Sequence, residues 1–120
     1  MKTTDAAVPA LLRQSAVVAY PAVEEGFGLP ALEALACGAP LITTEGTAMA
    51  EMAQGAACLV RPGDDGALTE ALASALEQGR EASEVVRRHD LGLSVAARYT
   101  WAASVAKHVE AYEVAFRAPQ

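Results

Sequence analysis

Two glutamates flanking a glycine loop are the residues best placed to do chemistry. Glu25 and Glu33 stand on either side of Gly26-Phe27-Gly28-Leu29-Pro30, inside the run VEEGFGLPALEALACGAPLITT at 23–44. Ionised carboxylates accept hydrogen bonds from hydroxyls. Glycines have no Cβ, so a ligand can approach the backbone closely. A helix opening at Leu29 and Pro30 offers N–H groups without intrahelical partners around Gly28, Leu29 and Ala31, and these attract an anion; Pro30 contributes none. Two carboxylates aimed at hydroxyls, with an anion-holding tip between them, suit a sugar–phosphate–ribose ligand. The plainer reading stays open, in which Gly and Pro make a tight corner and both glutamates face solvent.

The elements that position this loop follow from punctuation and periodicity. The segment 8–15 reads as a short helix and 16–20 (AVVAY) as a buried strand, its β-branched centre and Pro21 favouring strand over helix. Residues 29–37 read as a helix with Pro30 in its first turn and Gly38 ending it. A second strand follows at 40–44. Thr47 can cap a helix over 48–54, Gly55 stops it, and 56–60 is a third strand. Strands joined by crossovers of this length run parallel. Asp64 or Asp65 can cap a helix over 66–79, where Leu68, Leu72 and Leu76 make one apolar face. A helix over 80–93 should break near Gly92. A last helix after Thr100 carries Val105, Val109, Tyr112 and Phe116 as an apolar stripe.

The fold class is therefore α/β, a partial Rossmann-like three-layer domain with a short parallel sheet of about three strands and C-terminal helices. Its 120 residues make one domain at most. Parallel sheets are seldom so narrow, so the pattern looks like the second half of a doubly wound domain.

Composition narrows the partners. Fifteen acidic residues against nine basic give a formal charge of −6, which argues against nucleic acid. No apolar run is long enough to span a bilayer. Cys37 and Cys58 lie among apolar residues and read as small buried thiols in a reducing compartment, so a cytoplasmic location is expected.

The segments YPAVEEGFGLPALEALACGAPLITT and AEMAQGAACLVRPGDDGALTEAL closely resemble the donor-binding domain of retaining group 1 glycosyltransferases of the GT-B fold. Their signature is a glutamate, seven residues, then a second glutamate, with Gly-Phe-Gly-Leu-Pro between. The resemblance runs from about residue 6 to residue 113. It implies that 1–120 are part of a C-terminal nucleotide-sugar-binding domain. It further implies that Glu25, as the catalytic glutamate, approaches the donor sugar hydroxyls. Gly26, Phe27, Gly28 and Leu29 would contact the sugar and pyrophosphate, and Glu33 the ribose. Neither a metal nor another cofactor is expected. Ala50 stands where many relatives carry proline.

The resemblance also implies parts not seen here: an acceptor domain, the first strands of the donor domain with their Arg and Lys, and the nucleobase pocket. A chain holding one wall of the donor site should bind nucleotide-sugar weakly and transfer none by itself. The alternative is a non-catalytic module that self-associates, or binds a partner, through the uncovered sheet edge or apolar helix faces. A nucleotide-sugar epimerase of the same fold is disfavoured by the EGFGLPALE context. His89 and His108 read as surface residues, VVRRH at 85–89 as a solvated face, and Tyr99 and Trp101 as packing at the start of the last helix.

Overall fold

A computed structural model describes residues 4–24 and 26–119. Glu25, the first candidate glutamate, lies outside the described residues. The chain opens with a 3₁₀ turn at Asp5–Ala7 that runs into helix α1 (Val8–Gln14). Strand β1 (Val18–Tyr20), helix α2 (Leu29–Ala36), strand β2 (Leu41–Thr44), helix α3 (Ala48–Ala53) and strand β3 (Ala57–Val60) follow in alternation. Three helices complete the chain: α4 (Asp65–Gln78), α5 (Ala82–Ala96) and α6 (Trp101–Arg117).

The sheet is parallel with order β1-β2-β3, Val18 standing opposite Leu41 and Leu41 opposite Ala57. All four residues of the central strand are buried, as expected for a parallel strand covered on both faces. On one face Ala31, Ala34 and Leu35 of α2 pack with Leu41, with Met49, Met52 and Ala53 of α3, and with Val95 of α5. On the other, Ile42 and Val60 meet Ala75 of α4. Alanines at the α2 contacts allow close approach, and burying each large side chain such as Leu35 contributes roughly 1.5–3 kcal/mol. This is the α/β architecture read from the sequence.

Side chains at the helix starts fix the boundaries. Thr47 Oγ1 accepts a hydrogen bond from the Ala50 N–H at 3.3 Å, Asp64 Oδ1 from Ala67 at 2.9 Å, and Thr100 Oγ1 from Ala103 at 3.1 Å. Such caps are worth about 1 kcal/mol each. Asp64 is thus the cap of α4, and Asp65 is its first residue.

Four expectations need correction. Helix α5 runs unbroken through Gly92, because that glycine is buried where α5 crosses α2; a Cβ there would lie 3.3 Å from the Leu35 carbonyl oxygen. Cys58 is exposed on the edge strand β3, and Cys37 is half-buried. Trp101 does not pack: it is 88% exposed, and α6 buries none of its residues. VVRRH is only partly solvated, since the Arg88 side chain is 14% exposed against 61% for Arg87.

Among the described residues, no helix is long and apolar enough to cross a membrane. Strands β1 and β3 are the outer strands of the sheet among the described residues.

Candidate functional site

The loop from β1 to α2 leaves the carboxyl end of β1, the edge where open parallel sheets bind ligands. Its conformation depends on Gly28, the residue preceding α2. Gly28 has φ +80°, in the left-handed region, and a Cβ there would fall 2.2 Å from Met49 Cγ. Met49 is fully buried on α3 and cannot retreat. Thr43 Oγ1 donates to the Tyr20 carbonyl at 2.9 Å and lies 3.5 Å from Met49 Sδ. Strand end, central strand, α3 and loop are therefore locked together, with glycine required at the point of contact.

The loop has a second brace. The Phe27 ring meets Tyr99 edge to face, with centroids 5.6 Å apart. Tyr99, between α5 and α6, donates its hydroxyl to the Met52 carbonyl at 3.2 Å and accepts from Gln54 Nε2 at 3.3 Å. Arg98 in turn donates to Gln54 Oε1. The C-terminal turn of α3 and the α5–α6 junction thus support the side of the loop that carries Phe27. Gly26 is exposed, with open space where a side chain would be.

The amides at the tip of α2 are fewer than its helical start implies. Ala31 donates to the Gly28 carbonyl at 3.0 Å, and Leu32 reaches the same oxygen at 3.2 Å. With Pro30 lacking a donor, the amides at this tip without a partner among the described residues are those of Gly28 and Leu29. Leu29 is itself exposed.

Glu33, one turn into α2, is exposed and lines a shallow groove of about 330 Å³ with Asp5, Val8, Pro9 and Leu12 of the α1 segment. The structure therefore gathers Gly26, Phe27, Gly28 and Leu29 at the strand edge and sets Glu33 along the flank of α2 that faces α1. Three residues that help to build this edge were not assigned to it by the sequence reading, which placed Tyr99 only as packing at the start of the last helix. Met49 fills the hollow of Gly28, Tyr99 supports Phe27, and Arg61 brings a positive charge to the carboxyl end of β3, 3.9 Å from Glu45. Their only signals were an apolar crossover helix and isolated polar residues, none with a motif.

No group of three His, Cys, Asp or Glu side chains suited to a metal ion occurs among the described residues.

A family profile described as "Glycosyl transferases group 1" matches residues 2–78, which contain the whole sheet, the loop, α2 and α4. The chain belongs to this family. Two mannosyltransferases match over more of the chain than the profile does. The O-antigen chain mannosyltransferase B of Escherichia coli is 28% identical over 110 residues, covering 92% of this chain and 28% of that protein. The MMP alpha-(1->4)-mannosyltransferase of Mycolicibacterium hassiacum is 34% identical over 116 residues, covering 93% of this chain and 28% of that protein. The chain thus spans 28% of the length of these curated relatives. In this glycosyl transferase chain the matched region contains both elements that shape Gly28, the loop and α3.

Proposed function

We propose that this chain forms one wall of the donor site of a retaining glycosyltransferase, binding a nucleotide-sugar at the carboxyl edge of its sheet. The observation that carries the reading is the Gly28 tip of α2, held by Met49 beside an open Gly26, with the Gly28 and Leu29 amides unpartnered among the described residues. A diphosphate sits against those amides, where the helix dipole favours negative charge. Glu25 addresses the donor sugar hydroxyls as the catalytic glutamate. Gly26 and Phe27 border the sugar, and Glu33 takes the ribose hydroxyls in the groove beside α1. Two mannosyltransferases among the relatives make mannose the first sugar to test.

In the parent enzyme, rate enhancement comes from donors aimed at the departing diphosphate as charge develops on the sugar. With 28% of the relatives' length, this chain alone binds weakly and transfers no sugar. Calorimetry with GDP-, UDP- and ADP-sugars tests this: nanomolar affinity with turnover would contradict it.

A second reading, self-association, is favoured by α6. Trp101, Val105, Val109, Tyr112 and Phe116 are all exposed, on a helix with no fully buried residue. Covering such surface against a second copy removes it from water.

A further inference from the structure

The opposite edge of the sheet has a cavity that the donor reading does not use. Residues of α5, of the amino ends of β2 and β3 and of the last turns of α4 come together there. Between them lies a space of about 230 Å³, lined in part by Pro40, Ala57, Ser74, Gln78, Arg87 and Arg88, with no carboxylate in its wall.

Arg88 is the unusual group. Its Nε is buried and has no hydrogen-bond partner among the described residues. The carboxylate beside it, Glu84 Oε1, is 4.0 Å away, too far to accept from it. Glu84 is already engaged by Arg87, whose Nε donates to Oε2 at 2.9 Å and whose Nη2 donates to Oε1. One carboxylate therefore serves two guanidinium groups, leaving a local excess of one positive charge in a chain of net charge −6. Arg88 Nη2 lies beside Gly79 at the end of α4. Ser74 accepts from Gln78 Nε2 at 3.3 Å, which leaves the serine proton for a further acceptor.

A buried guanidinium N–H without an acceptor is costly, and an anion oxygen that reaches it relieves the cost. We propose that this cavity is a site for a small oxyanion, a phosphate or a carboxylate, held by Arg88 with help from Ser74. A cavity of about 230 Å³ has room for a small anion with a short organic body. The site is separated from the α2 tip by the length of the strands, and it stands whether or not the donor reading does. An occupant ties α5 to α4, and α5 carries Gly92 and Val95 against α2. Binding therefore raises the unfolding temperature by linkage.

The test is a ¹⁵N NMR titration of the whole chain with inorganic phosphate and, separately, succinate, at ionic strength held constant with NaCl. The expected result is a saturable shift of the Arg88 Nε–H and of the Ala57, Cys58 and Gln78 amides, with a rise in Tm. A response to phosphate alone identifies a phosphate site, and a response to succinate alone a carboxylate site. Arg88→Gln should abolish the saturable shifts. Glu84→Gln, which removes the competing carboxylate, should tighten binding several-fold. No saturable shift with either anion, shifts confined to the Gly28 and Leu29 amides, or shifts unchanged in Arg88→Gln would overturn the proposal. If Arg88→Gln does not fold, Glu84→Gln decides: tighter binding supports the site, and unchanged binding overturns it.

Discussion

Phe27 and Tyr99 lie 72 positions apart in sequence, yet their rings meet edge to face at 5.6 Å and an interplanar angle of 64°. The contact joins the candidate donor loop to the turn between α5 and α6, so the loop's shape depends on a residue outside the region matched by the family profile. Such aromatic pairs are worth about 0.5–1.5 kcal/mol beyond their burial.

Tyr99→Phe keeps the ring and loses the hydrogen bond to the Met52 carbonyl, at an expected cost of about 1 kcal/mol. Tyr99→Ala also removes the ring from Phe27, at about 3 kcal/mol. Denaturant unfolding measures both, and the Phe27 ring-proton shifts should move in Tyr99→Ala far more than in Tyr99→Phe.

Gly28 and Gly38 both have positive φ, and a Cβ at either would fall 2.2 Å from a neighbour. The neighbours differ. Met49 is fully buried, whereas the His89 side chain is 50% exposed and can swing out. Gly28→Ala should therefore combine left-handed strain of about 1–2 kcal/mol with overpacking of about 1–3 kcal/mol. Gly38→Ala should cost the strain alone. Thermal unfolding of the two variants should rank Gly28→Ala clearly the less stable.

The Glu84–Arg87 pair makes a pH prediction. The hydrogen bond from Arg87, with the charges of Arg87 and Arg88, lowers the Glu84 pKa against a smaller opposing effect of burial. Arg87 is raised in turn by Glu84 and stays protonated throughout. A lowered carboxylate stabilises the fold above its unfolded pKa of about 4.3, and that contribution is lost as pH falls through the folded value. The stability difference between the native chain and Glu84→Gln should be constant from pH 7 to about pH 5 and shrink below it. A difference that grows on acidification would contradict the pairing.

The exposed stripe on α6 makes a prediction about assembly. If a second copy covers it, light scattering at micromolar concentration should give a dimer or larger species, and Val109→Glu with Tyr112→Glu should yield a monomer. A monodisperse native monomer would remove the self-association reading.

Much of this was legible in the chain. Thr47, Asp64 and Thr100 announce helix starts because only short polar side chains reach back to the first-turn amides, and Gly38 and Gly55 announce ends because both sit at positive φ. Gly92 misled because helix propensity treats glycine as a breaker, whereas here its missing side chain lets two helices touch. Cys58 looked buried by its apolar neighbours, but β3 is an edge strand, and burial there depends on coverage rather than composition. Arg88 sits in a run that reads as surface, and its burial comes from the packing of distant segments around α5. The motif pointed to the loop but not to the contacts that Met49 and Tyr99 make with it, since those depend on tertiary packing between distant segments.

The donor-wall reading is tested most directly by following the backbone amides of the ¹⁵N-labelled chain during addition of GDP-, UDP- and ADP-sugars to millimolar concentration. The account predicts saturable shifts at Gly26, Gly28 and Leu29 with at least one nucleotide-sugar, weakened about tenfold by Glu33→Gln, the effect of losing a charge-assisted hydrogen bond. Loop amides that stay still with every nucleotide-sugar, or move no less readily in Glu33→Gln, would contradict it.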